Sequence, residues 1–152
     1  MDINATLIDK GIVLPDAPPP AANYIPYVKI GKLVFVSGQV SQNENGFIKG
    51  VLGKNLHVEE GYDAARQCAI SLLAQLKSAV NGDLNKVTKV VKLGGFVNSA
   101  PDFTEQPSVI NGASDLLVEL LGEKGRHART AVGANLPLGV AVEIDGIFEV
   151  ES

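Results

Sequence analysis

Few side chains in this sequence could do chemistry, and their types narrow what that chemistry is. Cys68 is the one cysteine, and the histidines number two, His57 and His127. No intramolecular disulfide can form, and no Cys/His cluster can hold a zinc ion. Cys68 falls among apolar residues at helical spacing, where a free thiol behaves as a small buried hydrophobe rather than a nucleophile. Ser37 sits in a strand-forming run with no histidine close in sequence, so nothing points to a Ser-His-Asp triad. Two settings remain. Glu143 and Asp145 are two residues apart, so on a strand both carboxylates share a face. Such acids can move protons, although an outward acid on a final strand equally reads as a solvated or interface residue. Arg129 offers a planar fork that meets a carboxylate through two parallel hydrogen bonds. On residue type alone it is a surface or interface arginine.

The elements that must position these groups follow from periodicity. Tyr27–Ile30 and Leu33–Ser37 flank the turn residues Gly31-Lys32 and predict a β-hairpin. Residues 42–55 are polar and glycine-punctuated, a loop with room for one short strand. Residues 59–80 predict a helix, with Ala65, Cys68, Ala69, Leu72, Leu76, Ala79 and Val80 on one face and Asn81-Gly82 as the stop. Residues 86–96 are β-branched and predict a strand that runs parallel to the first ones after a helical crossover. A second helix is expected over residues 108–121, striped by Val109, Ala113, Leu116, Leu117 and Leu120. Strands over 130–136 and 140–150 close the chain around Pro137-Leu138-Gly139. In the last strand Val140, Val142, Ile144, Phe148 and Val150 form an apolar row. Ala141, Glu143, Asp145, Ile147 and Glu149 form the opposite row, a mixture suited to a face that meets another subunit or a wet cavity. The order β-β-α-β-α-β-β is an α+β sandwich with both helices on one sheet face. One domain spans 1–152, with 1–20 as an extended, proline-rich lead.

Bulk properties exclude several functions. With 45% hydrophobic and 20% charged residues the chain is globular rather than disordered. The net charge is −4 with no run of like charges, unlike the footprint of a nucleic-acid binder. No apolar run approaches the ~20 residues of a membrane span. Met1-Asp2-Ile3-Asn4 lacks the basic start of a secretory signal, which leads to the expectation of a soluble cytoplasmic protein.

From Tyr24 onward the chain resembles the RidA (YjgF/YER057c/UK114) family. The resemblance lies in the ordered set Val34-Phe35-Val36-Ser37-Gly38-Gln39, Val87-Thr88-Lys89-Val90-Val91-Lys92-Leu93, Ala128-Arg129-Thr130, Leu136-Pro137-Leu138-Gly139 and Val142-Glu143-Ile144-Asp145-Gly146-Ile147. It implies a chorismate-mutase-like fold of the bacillus type, assembled as a homotrimer with clefts between subunits. In deaminase members of the family an arginine grips the substrate carboxylate, and the matching residue is Arg129. A glutamate that places the attacking water matches Glu143, with Asp145 on the same face as the other candidate. The pocket tyrosine matches Tyr24 by its distance from Ser37, whereas Tyr27 follows a proline as the family tyrosine does. Ser37 and Gly38 would line the cleft, and Asn111 matches an asparagine at the start of the second helix. This chain departs from the pattern at His127, where a proline is usual, and at Ala131, often cysteine in deaminases. Its amino-terminal lead and its 98–107 loop are also longer.

The resemblance implies hydrolysis of 2-enamines or 2-imines to 2-keto acids and ammonia, with no cofactor or metal, on a small carboxylate-bearing metabolite. A non-catalytic binding or regulatory trimer is the alternative. An endoribonuclease or translation-inhibitor role, a label carried by relatives of the L-PSP type, fits the acidic composition poorly. The lead, stiffened by prolines and carrying Ile12, Val13 and Leu14, is expected to cover a neighbouring subunit or the cleft mouth.

Overall fold

The computed structural model describes residues 2–20 and 22–152. Strands β1 (Tyr27–Ile30) and β2 (Leu33–Val40) form the expected hairpin, and β3 (Gln42–Asn43) with β4 (Gly46–Phe47) makes a small separate one. Helix α2 (Val58–Ala79) opens with the Glu60 side chain accepting from the His57 backbone N–H at 2.9 Å. Strand β5 (Val87–Val97), helix α3 (Gln106–Leu121), strand β6 (Ala128–Gly133) and strand β7 (Val142–Val150) complete the body. The sheet order is β1-β2-β7-β5-β6. Every pairing in it is antiparallel except β5 with β6.

That order refines the sequence reading. Strand β5 does run parallel to β2, but the two never touch, because β7 inserts between them. Strand β6 starts two residues earlier than expected and brings Arg129 inside the sheet. Helix α3 also starts two residues earlier, so Asn111 stands in its second turn rather than at its start.

The amino-terminal lead is a correction. Residues 3–9 are not extended but form helix α1 (Ile3–Asp9), capped by the Asp2 carboxylate, which accepts from the Asn4 N–H at 3.0 Å. Ile3 and Leu7, one turn apart, are both buried. The Ile3 N–H reaches Asn85 Oδ1 at 2.9 Å, and Lys10 pairs with Glu119 on α3 at 3.2 Å. A seven-residue helix is too short to show as a repeat, and it is held by tertiary contacts rather than by its own propensity. The fold is therefore three helices on a mixed sheet.

Helices α2 and α3 cover one sheet face. Leu72, Leu76, Leu116, Leu117 and Leu120 meet Val34, Val36, Leu93, Val142, Ile144 and Phe148 there, all essentially without exposed surface. Burial of side chains of this size stabilises by about 1.5–3 kcal/mol each. Among the described residues no helix lies on the other face. Pairing of Val28 with Phe35, of Phe35 with Ile147, and of Phe96 with Val132 places an apolar patch there. Phe35 and Val132 keep 40% and 41% of their surface exposed. Among the described residues no helix is long and apolar enough to cross a membrane.

Candidate functional site

The sequence-predicted residues fall into two groups on opposite sides of the sheet. The first is built around a bulge in β2. Val36 lies opposite Gly146 and Gln39 opposite Ile144, so Ser37 and Gly38 together face one residue, Asp145. An extra residue of this kind bends the strand and re-aims its neighbours. Ser37 turns its hydroxyl to the Ile25 carbonyl at 2.8 Å, which ties the bulge to the segment carrying Tyr24. Tyr24 and Gly38 line one small cavity of about 40 Å³, with Pro26, Gln39 and Gln75 also on its wall. Tyr27, the other tyrosine considered, packs partly buried against the core.

Glu143 and Asp145 both project from β7 onto the helix-free face, between the buried Val142, Ile144 and Gly146. Each lies against a glycine on a neighbouring strand. The Glu143 carboxylate occupies the space a Cβ on Gly38 would take, and the Asp145 carboxylate does the same at Gly94. Burial pushes the Glu143 carboxyl above its usual range, and the nearby Asp145 charge pushes it further. Burial also raises Asp145, opposed by a backbone hydrogen bond from Gly94 and by the Lys92 charge.

The second group surrounds Arg129. Residue 129 lies opposite the buried Leu93, so its side chain leaves the sheet on the helix-covered face. There α3 holds the guanidinium with three acceptors. Nη1 donates to Asn111 Oδ1 at 2.8 Å and to Ser114 Oγ at 3.0 Å, and Nη2 donates to the Pro107 carbonyl at 3.2 Å. These bonds leave the Nε hydrogen and one Nη2 hydrogen to meet a ligand. Ser114 also contacts His127 Nε2 at 2.8 Å, and His127 Nδ1 contacts the Gly125 carbonyl at 2.6 Å. Burial lowers the His127 pKa, and the charges of Arg129 and Lys89 lower it further, against the upward pull of the Gly125 carbonyl.

The fold thus joins Arg129 to Asn111, and Glu143 to Gly38 and Tyr24 by way of the bulge. Within one chain it does not join the two groups. Sequence reasoning passed over Ser114, although its three-residue spacing from Asn111 puts both on one helix face. It also passed over Gln75, a buried amide that donates to the Pro18 carbonyl at 2.6 Å and to Gln39 Oε1 at 3.4 Å. Gln39 in turn donates to the Ser37 carbonyl at 2.9 Å, so the lead, α2 and the bulge share one polar relay. Beyond α1 the lead crosses its own chain's α2, enclosing a groove of about 850 Å³ bordered by Lys10, Ile12, Pro18, Asn43 and Arg66. Cys68 is fully buried, and burial raises its thiol pKa well above the usual value. Among the described residues no group of three or more His, Cys, Asp or Glu side chains could hold a metal ion.

A family profile described as YjgF/chorismate mutase-like, with a provisional endoribonuclease label, matches residues 4–142. The chain belongs to the YjgF/chorismate mutase-like family. Protein TCP17 of Trypanosoma cruzi is 50% identical to it over 153 residues, spanning 99% of this chain and 95% of its own. The crystal structure of Atu1372 from Agrobacterium tumefaciens superposes with a TM-score of 0.91 at 46% identity, covering 98% of this chain and 92% of the other. The 2-iminobutanoate/2-iminopropanoate deaminase of Dermatophagoides farinae is 29% identical over 143 residues, covering 92% of this chain and 95% of the other. The YjgF assignment agrees with the resemblance drawn from the sequence, and the α+β fold is that of the family.

Proposed function

We propose that this YjgF-family chain hydrolyses reactive 2-enamines and 2-imines to 2-keto acids and ammonia, in clefts formed between subunits of a homotrimer. The observation that carries the reading is the Arg129 guanidinium, fixed by Asn111, Ser114 and the Pro107 carbonyl with a pair of donors left over. Two N–H groups on a fixed planar fork are what a carboxylate takes up. The deaminase name of the mite relative supports the substrate class.

Arg129 and Glu143 leave the sheet on opposite faces, so a cleft using both draws them from two copies of the chain. The exposed apolar patch on the helix-free face supports such assembly, since patches of this kind mark interaction surfaces. In the cleft Arg129 holds the carboxylate and thereby fixes the C=N carbon. Glu143, as carboxylate, takes a proton from water while the oxygen adds to that carbon, then delivers that proton to the imine nitrogen and is a carboxylate again. Collapse of the carbinolamine breaks the C–N bond, releases ammonia and leaves the 2-keto acid. Much of the rate would come from holding water and imine together. Tyr24, Ser37 and Gly38 shape the wall, and Asn111 holds the anchor.

The test is release of keto acid and ammonia from 2-aminoacrylate generated in place. Wild type should accelerate it and Arg129→Ala should not. An Arg129→Ala protein as active as wild type would overturn the reading. A second reading, a binding or regulatory trimer using the same cleft, is favoured by His127 and Ala131, which depart from the usual deaminase residues. Tight keto-acid binding without turnover would establish it. The net charge of −4 speaks against a ribonuclease.

A further inference from the structure

The hydrogen bonds behind Arg129 run in one direction. The Gly125 carbonyl only accepts, so its 2.6 Å contact places a proton on His127 Nδ1. In the neutral ring Nε2 is then an acceptor, and the Ser114 hydroxyl, 2.8 Å away, donates to it. The Ser114 oxygen keeps its lone pairs for Arg129 Nη1 at 3.0 Å. The sequence Arg129 to Ser114 to His127 to the Gly125 carbonyl therefore leaves each polar hydrogen one destination. The flanking cations Arg129 and Lys89 both favour the uncharged ring that this order requires.

We propose that Ser114 and His127 are positioning residues for the carboxylate anchor, fixing the rotation of the Arg129 guanidinium so that its remaining donors face the ligand. The proposal rests on the carboxylate-anchor reading above. His127 has no direct contact to make with substrate in this role. It orients the serine lone pairs, and the serine orients the arginine. Without His127 the Ser114 hydroxyl can rotate its hydrogen toward Arg129, and one of the three acceptors is lost.

The experiment measures 2-oxobutanoate binding by calorimetry, and 2-aminoacrylate turnover, in wild type, His127→Ala, His127→Gln, Arg129→Ala and the His127→Ala/Arg129→Ala double variant. His127→Ala should weaken 2-oxobutanoate binding about tenfold, the scale of one hydrogen bond to a charged group, and raise KM more than it lowers kcat. His127→Gln, whose side-chain oxygen can take the Ser114 hydrogen, should recover most of the loss. In the Arg129→Ala background the His127 substitution should cost nothing further. Side-chain NMR of ¹⁵N-labelled protein should show the Arg129 Nη hydrogens exchanging faster in His127→Ala than in wild type, a readout that needs no ligand. Binding by His127→Ala within twofold of wild type, or losses that add in the double variant, would overturn the proposal. If wild type binds no 2-oxobutanoate, the carboxylate-cleft reading fails and this one with it. Failure of the positioning role alone appears as Arg129 exchange in His127→Ala equal to that of a wild type that does bind.

Discussion

Gly38 and Glu143 share one space: the Glu143 carboxylate lies where the first side-chain atom of any other residue at position 38 would stand. Glycine is needed there for proximity. Gly38→Ala must push the Glu143 carboxylate off the sheet or straighten the bulge. The expected outcome is a loss of imine turnover of at least about tenfold, with little cost in stability, because the atoms in the way are the end of the flexible, half-buried Glu143 side chain. Turnover and urea midpoints of Gly38→Ala measure both, and an alanine variant with wild-type turnover would separate the bulge from the chemistry.

Glu143 and Asp145 should make the protein more stable in mild acid than at neutrality. Each has a folded-state pKa raised mainly by burial. A raised pKa means that the neutral form is favoured on folding. The associated stability is present below the ordinary carboxylate pKa and lost as pH rises through the raised value. Glu143→Gln and Asp145→Asn should therefore raise the urea midpoint at neutral pH and leave it almost unchanged in acid. Turnover should fall on the acidic side at a pH above that of an ordinary glutamate, and Glu143→Gln should abolish it.

His127 titrates with the opposite sign. Its folded-state pKa is lowered from 6.5, first by burial and then by Arg129 and Lys89. Its contribution is present above 6.5 and lost as pH falls through the lowered value. In His127→Gln the stability profile should flatten across that window. The ring proton shifts of His127, followed by NMR, give the pKa directly.

Gln75→Leu should loosen the lead. It removes the donor to the Pro18 carbonyl and the link to Gln39. Gln39 Oε1 is the buried acceptor of the two, and one left without a donor costs about 1–3 kcal/mol, whereas the part-buried Pro18 carbonyl can turn to water. Limited proteolysis should then cut within residues 10–20 faster than in wild type, while the α2–sheet core stays protected.

Leu7→Ala tests whether α1 belongs to the fold. Leu7 is 5% exposed, and truncating a buried leucine costs about 2–5 kcal/mol. A change under about 0.5 kcal/mol, typical of surface positions, would mean that α1 is an appendage.

What the sequence disclosed follows from the range of the signals. The stripe from Ala65 to Leu76 and the alternation from Val142 to Val150 are local periodicities, and both elements were legible with boundaries correct to within two residues. Local patterns carry no information about which strand lies beside which, so the insertion of β7 between β2 and β5 was not readable. The one-sided face of β7 was readable, because alternation alone places Glu143 and Asp145 opposite the core. Arg129, Asn111 and Gly38 were singled out by resemblance. The partners that give them geometry, Ser114 and Gln39 with Gln75, are polar residues on otherwise ordinary elements. Helix α1 was missed because two apolar residues one turn apart are no repeat, and the prolines that follow dominated the reading.

The place of β7 has a consequence for how the molecule comes to be folded at all. It bonds on one side to residues 33–40 and on the other to residues 87–97, so neither half of the sheet has its central partner until the strand synthesised after both arrives. A chain emerging from the ribosome would hold two unfinished strand edges apart until then, and loop closure of that length is slow. Glu143 and Asp145 lie on that closing strand, so they reach Gly38 and Gly94 only once it has docked between the other two.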